Sequence, residues 1–176
     1  MRRFAPFLLL ALAVPAAAQT RHDTNAPIDF SADQIELQDR ANRGVLSGNV
    51  AVRQAEMTLN AARLTVAYTG EVVGGHAQVS RLDAAGGVVV RRPDQTARGQ
   101  YAVYDLNKRI ITMIGGVQLT QARNTVNGGR LTINLDTGRA VIDGSAVRGG
   151  APGAVQQTPN GRVTGTFSVP RRTGSQ

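Results

Sequence analysis

The sequence predicts an all-β fold built from stacked antiparallel strands, and three observations carry that reading. Apolar residues between Asp23 and Arg148 alternate along the chain instead of recurring at helical spacing. One strand–turn–strand phrase is written twice. The breaks between the apolar runs carry Gly, Asn, Asp and Gln, which is turn chemistry.

Taken in order, the chain opens with the pattern of an export signal. Arg2 and Arg3 form a charged start, Phe4 to Val14 is an apolar run interrupted by Pro6, and Ala16-Ala17-Ala18 is a small-residue cleavage site. Residues 1–18 are therefore expected to be a signal peptide, with the mature chain starting at Gln19. The apolar run is too short to span a bilayer comfortably. The sequence contains no cysteine, which excludes disulfides and a lipid-modified cysteine. An exported chain of this kind must be held by packing and hydrogen bonds alone. The expected compartment is the periplasm.

Residues 19–150 read as one β domain. Asp33, Glu36 and Asp39 alternate with Ile35 and Leu37 and are expected to form a solvated face. Val50 and Val52 face one way, while Asn49, Ala51 and Arg53 face the other. Met57 with Leu59, then Leu64, Val66 and Tyr68, continue the alternation. The phrase Ser47 to Tyr68 returns at Ile114 to Leu135. Without a gap the two copies share Gly48/Gly115, Val50/Val117, Gln54/Gln121, Ala55/Ala122, Thr58/Thr125, Asn60/Asn127, Arg63/Arg130, Leu64/Leu131 and Thr65/Thr132. A strand pair cannot bury its own apolar face, so stacking a second copy is the physical use of the repetition.

A shorter unit, aliphatic residues followed by glycine, occurs at Val45–Gly48, Val72–Gly75, Ile111–Gly115 and Val141–Gly144. Glycine there tolerates a bend or bulge. Ala84-Ala85-Gly86-Gly87 is expected to be a hairpin or loop between the copies. Residues 151–176 form a Gly-, Pro- and Gln-rich C-terminal segment, with a last strand expected within Arg162 to Val169 and a disordered tail from Pro170.

The formal net charge is +8, and taking away Arg2 and Arg3 leaves 18 basic against 12 acidic residues. Lys108 is the only lysine. Arginine forks suit phosphate and carboxylate oxygens, and Arg53, Arg63, Arg91, Arg92, Arg130 and Lys108 are expected outward or on a rim. Nucleic acid is not an expected partner in the periplasm. Catalytic machinery is missing from the sequence pattern. Ser47 lies in Gly-Val-Leu-Ser-Gly rather than a nucleophile elbow. The histidines are His22 and His76, each isolated from a nucleophile, and no cluster has metal-ligand spacing. There is no tryptophan to stack on sugars. No catalytic residue, metal or cofactor is assigned. A binding or structural module is left, whose interior is either packed or open to an apolar guest.

Particular segments resemble the LptA/OstA-like family of periplasmic lipopolysaccharide carriers. Asn25-Ala26-Pro27-Ile28-Asp29-Phe30-Ser31-Ala32-Asp33 resembles the family's first strand, and Leu46-Ser47-Gly48-Asn49-Val50 its Thr/Ser-Gly-Asn-Val motif. Asn60-Ala61-Ala62-Arg63-Leu64 is similar to the strand that follows. Tyr104-Asp105-Leu106-Asn107-Lys108 is similar to its Tyr-acid-Leu…Lys strand, and Gly115-Gly116-Val117 to a second Gly-Asn-Val in which Gly116 replaces Asn. The similarity runs from Thr24 to Gly144, with 78–95 hard to align.

The resemblance implies an open, V-shaped β-jellyroll with lipid A acyl chains along its apolar interior and sugars and phosphates outside. It also implies head-to-tail stacking of copies by edge-strand pairing. The partners implied are lipopolysaccharide, a membrane-anchored inner-membrane docking protein and an outer-membrane insertion complex with related jellyroll domains. The cleavable signal argues against the membrane-anchored branch of the family, and the absence of a following barrel against the outer-membrane branch. Alternation and the match to the family's strands together place Ile28, Phe30, Val50, Val52, Leu59, Leu64, Val66, Tyr104, Leu106, Val117, Leu119, Leu131 and Ile133 inward as lipid-binding residues. The alternative is a structural β-solenoid with a filled core and no lipid cargo; an enzyme acting on carbohydrate is disfavoured by the scarcity of aromatic residues.

Overall fold

The computed structural model describes residues 22–70, 77–144 and 162–167. The signal segment, Val72–Gly75, His76 and the tail from Pro170 lie outside the described residues. The strands are β1 (Ile28–Ser31), β2 (Gln34–Gln38), β3 (Arg43–Gln54), β4 (Met57–Thr69), β5 (Gln78–Arg92), β6 (Gln95–Asp105), β7 (Ile110–Gln121), β8 (Asn124–Asn134), β9 (Ala140–Asp143) and β10 (Thr164–Thr166), with a short 3-10 turn at Asp39–Ala41. Among the described residues they form one open sheet in the order β1-β3-β4-β5-β6-β7-β8-β10, with β2 also on β3 and β9 also on β8. Each pairing is antiparallel.

The long strands do not run straight through. Register breaks at Ser47/Val50, Asn60/Arg63, Ala85/Val88, Arg98/Tyr101 and Ile114/Val117 line up across the sheet. They divide it into two arms. One arm holds β2, the first part of β3, the second part of β4 and β9; the other holds β1, the second part of β3, the first part of β4 and β10. Apart from Val45 and Gly129, which are buried as well, buried positions keep their spacing of two within each arm. At the line they jump by four in β3, β5 and β7 (Leu46 to Val50, Ala84 to Val88, Met113 to Val117) and by three in β4 and β8 (Ala61 to Leu64, Gly128 to Leu131). The extra residue in the odd strands is a bulge, which bends and twists the strand that carries it. Stacked bulges fold the sheet on itself, so both arms contribute to one apolar cluster.

The chemistry of the fold line explains why glycine repeats there. Gly48 and Asn49 both take positive φ, and so do Gly115 and Gly116 at the equivalent place in the second copy. Side chains with a Cβ disfavour that region, Asn less than most. Gly86 and Gly87 occupy the same line in β5. The expected hairpin at Ala84–Gly87 is therefore a bulge in the interior of a fifteen-residue strand. The error has a physical cause, since a double glycine at positive φ serves a turn and a bulge equally well.

The repeated phrase occupies β3–β4 and β7–β8. Its centre makes the same two-residue turn twice, with Ala55 and Ala122 at φ 48° and 52°. The hairpin β5–β6 stands between the copies with an equally short turn, Pro93-Asp94, in which neither residue takes positive φ. A further correction concerns β2. Its carboxylate, Glu36, and the flanking Asp33 and Asp39 are solvated as expected, but Ile35 and Leu37 are also exposed, at 54 % and 58 %.

The fold line yields a prediction. A Cβ at Gly48 would run into the Asp33 side chain, whose Cβ and Cγ would lie only 2.9 Å away, whereas one at Gly116 would meet nothing within 4 Å. Gly116→Ala should cost about 1–2 kcal/mol from backbone conformation alone. Gly48→Ala should cost more, and urea unfolding of both variants measures the difference.

Candidate functional site: the space between the arms

The inner face of the folded sheet is aliphatic because the long strands β3 to β8 carry Val, Leu, Ile, Met or Ala at most of their alternate positions. Val50, Val52, Leu59, Leu64, Val66, Tyr104, Val117, Leu119, Leu131 and Ile133 are buried on it. Ile28, Phe30 and Leu106 are partly buried and pack against the same cluster. The structure thus brings all the sequence-selected interior residues together between the two arms. Leu106 lies just beyond β6, which ends at Asp105, and its backbone N–H donates to Ser80 O at 3.1 Å.

Sequence reasoning missed the contribution of β5, where Leu82, Ala84, Val88 and Val90 are fully buried. The signal was present as two runs of alternation, put out of phase by Gly86-Gly87. Ile111 and Met113, not assigned to the interior from the sequence, and Met57 and Leu135, read on the alternating face but not chosen as lipid-binding, complete the layers.

The middle of this interior is filled by its own side chains; Leu64, Ile111, Met113 and Leu131 are wholly shielded. Toward the free ends of the arms it opens. A cavity of about 450 Å³ lies between Gln95, Leu119, Gln121 and Val126 of one arm and Gly138, Ala140 and Ile142 of the other, with Val163 beside them. Its walls combine aliphatic side chains with the amides of Gln95 and Gln121 and polar backbone, apolar and polar surface in comparable shares.

On the N-terminal side the mouth is strapped. Gln54 is 2 % exposed, and all of its polar capacity is used. Its Nε2 donates to the backbone oxygens of Thr24 and Ala26 at 3.0 and 3.1 Å. Its Oε1 accepts from the Tyr104 hydroxyl at 2.9 Å and lies 3.2 Å from His22 Nε2. Gln54 stands on one arm and Tyr104 on the other, so this hydrogen bond ties the arms together. Arg109 joins the same strap, donating to Asn25 Oδ1 at 3.2 Å and to Asp136 Oδ1 at 3.1 Å. His22, expected to be an isolated residue, is a structural partner of Gln54.

The basic residues divide. Arg53, Arg63 and Arg91 are exposed, and Lys108 is exposed beside Asp105 at 3.2 Å. The Lys108 backbone N–H, donating at 3.0 Å, is the first cause holding the Asp105 carboxyl below its ordinary range. Arg130 is half-buried on the outer face, beside Asp143 in the register. Arg92 departs from expectation. It follows Val88 and Val90 on the inner face, and its side chain is only 8 % exposed. Among the described residues no group of three or more His, Cys, Asp or Glu side chains could share a metal ion.

Comparison with known proteins gives consistent results. The family described as LptA/(LptD N-terminal domain) LPS transport protein matches residues 29–139. An uncharacterized protein of Rhizobium meliloti is 30 % identical over 142 residues, 78 % of this chain and 74 % of its own. The lipopolysaccharide export system protein LptA of Escherichia coli K12 is 29 % identical over 132 residues, 70 % of this chain and 68 % of its own. The crystal structure of LptH, described as the LptA-homologous periplasmic component of the lipopolysaccharide transport device of Pseudomonas aeruginosa, superposes with a TM-score of 0.67. That match covers 84 % of this chain and 99 % of LptH at 20 % identity, and it concerns the fold.

The tie between the arms is testable by pH. Burial is the main reason the Tyr104 hydroxyl is pushed up to about 12. A phenol ionises near pH 10 in the unfolded chain, so the folded state holds this proton more tightly. The resulting stability is complete below about pH 10 and is lost as pH rises toward 12. Tyr104→Phe should cost about 0.5–1.5 kcal/mol at neutral pH, one hydrogen bond. It should also flatten the alkaline fall between pH 10 and 12 in denaturant titrations. Tyr68, raised first by burial and then by its hydrogen bond to Asp39, remains in that variant and keeps part of the slope.

Proposed function

The chain belongs to the LptA/(LptD N-terminal domain) LPS transport protein family, and from that premise we propose that it carries lipopolysaccharide through the periplasm with the acyl chains of lipid A lodged between its two arms. The observation that carries the reading is the aliphatic inner face that opens into the cavity walled by Leu119, Val126 and Ile142. Each acyl CH₂ buried there contributes about 0.8 kcal/mol. A wall of similar aliphatic side chains offers no single deep trap, so a lipid is held against water yet free to slide. The shielded middle layers direct the guest along the mouth, and wider insertion requires the arms to part. Directional movement needs an energy source elsewhere, in a transporter at the inner membrane.

The same reading gives the sheet's two ends a purpose. At one end β2 presents exposed Ile35 and Leu37; at the other, Val141, Val163 and Phe167 are exposed near β9 and β10. Edge strands with unpaired backbone groups and apolar side chains suit strand addition. Copies of the chain would stack head to tail in this way. The same edges would dock on an inner-membrane docking protein and an outer-membrane insertion complex that carry related jellyroll domains.

Photo-crosslinking tests the cargo. A crosslinking residue at Ile28 or Leu106 should capture lipopolysaccharide, while one at Glu36 or Arg53 on exposed surface should not; equal labelling of both pairs sinks the proposal. Light scattering tests the assembly. The wild-type chain should lengthen with concentration, and the double variant Ile35→Lys/Leu37→Lys should stay monomeric and folded. Long oligomers of that variant would place the contact elsewhere.

A further inference from the structure

We propose that Arg92 forms an anion subsite inside the mouth, taking a phosphoryl group carried by the amphiphile whose apolar part lies in the groove. The proposal rests on the lipid-carrying reading for the identity of its ligand and on the geometry of Arg92 for its place.

Arg92 ends the inner face of β5 after Val88 and Val90. It pairs in register with Gln95, which in turn pairs with Gln121, and both glutamines line the cavity. Neighbouring strands lie about 5 Å apart, so the Arg92 backbone stands one strand from Gln95 in the cavity wall. Its side chain is more than nine-tenths shielded. Even so, its Nη1 finds no hydrogen-bond partner among the described residues. The carboxylate of Asp94 is exposed and stands 3.8 Å from Nε, too far for a hydrogen bond.

A buried guanidinium with an unused donor is costly to the empty protein. Its fork matches the oxygens of a phosphoryl group, and a charge-assisted pair in such a site is stronger than one in water. Arg91, next in sequence, points outward and donates to Asn60 Oδ1 at 3.1 Å. The two adjacent arginines are thus an internal pair, one used on the surface and one held inside.

The test uses the mature chain as wild type and as Arg92→Met, Arg92→Gln and Arg91→Met. Affinity is measured for bis-phosphorylated lipid A and for lipid A stripped of its phosphates. Melting temperature is measured without ligand and with inorganic phosphate. Wild type and Arg91→Met should prefer the phosphorylated lipid by roughly 10- to 100-fold, the ratio expected of charge-assisted hydrogen bonds. Arg92→Met and Arg92→Gln should bind both lipids alike, at the wild-type level for the stripped form. Without ligand, Arg92→Met should melt at or above wild type.

An undiminished preference in both Arg92 variants overturns the proposal, as does a preference lost equally in Arg91→Met. If wild type binds neither lipid, the carrier reading has failed and the phosphate arm decides. A melting point raised by inorganic phosphate in wild type and not in Arg92→Met keeps the anion site, with free phosphate as its ligand. No such difference removes it.

Discussion

Every other feature of the molecule depends on the row of bulges that crosses the sheet. A flat ten-stranded antiparallel sheet with alternating side chains would leave its apolar face in water. Here β3, β5 and β7 each hold an extra residue at the same level, Asn49, Gly87 and Gly116 among those at positive φ. The strands bend together at that level, and the apolar face closes on itself. Burial, the cross-arm hydrogen bond from Tyr104 to Gln54 and the cavity at the mouth all follow from the bend. The same bend leaves the sheet open at both ends, because folding a sheet in two is not closing it into a barrel.

A folded sheet of this kind has two demands that pull against each other. Stability favours filling the interior, and the layers around Leu64, Met113 and Leu131 are filled. A carrier needs apolar surface that a guest can reach, and the structure keeps it near the free ends of the arms. Polar groups gather there as well. Gln54 is fully satisfied and secures the strap of residues 22–27. Gln95, equally buried, sits beside Arg92. On the carrier reading, stability and function are written at different levels of the same strands, a few residues apart.

Most of the architecture could be read from the letters, because alternation with period two is a direct record of which side of a sheet faces the core. The repeat locates β3–β4 and β7–β8, and its shared Gly48/Gly115, readable as places for a bend or bulge, falls on the fold line. What could not be read was what depends on tertiary neighbours. Gly86-Gly87 has the same local signature in a hairpin as in a bulge. Arg92 carries a charge, and nothing in its own segment says that the alternation of Val88 and Val90 continues through it to the inside. Gln54 looks like the polar end of a strand until the chain around Thr24 and Ala26 folds over it. Ile35 and Leu37 alternate with acids as a half-buried strand would, yet among the described residues they are more than half exposed.

The claim on which the functional reading turns is that the space between the arms receives acyl chains. The most direct measurement is mass spectrometry of lipid bound to the chain purified from native envelopes under non-denaturing conditions, run beside uptake of an apolar fluorescent probe. Lipopolysaccharide or its lipid A part should co-purify, and adding lipid A should displace the probe. A chain that emerges free of lipid and excludes the probe would be a filled β-structure, and the carrier reading would be wrong.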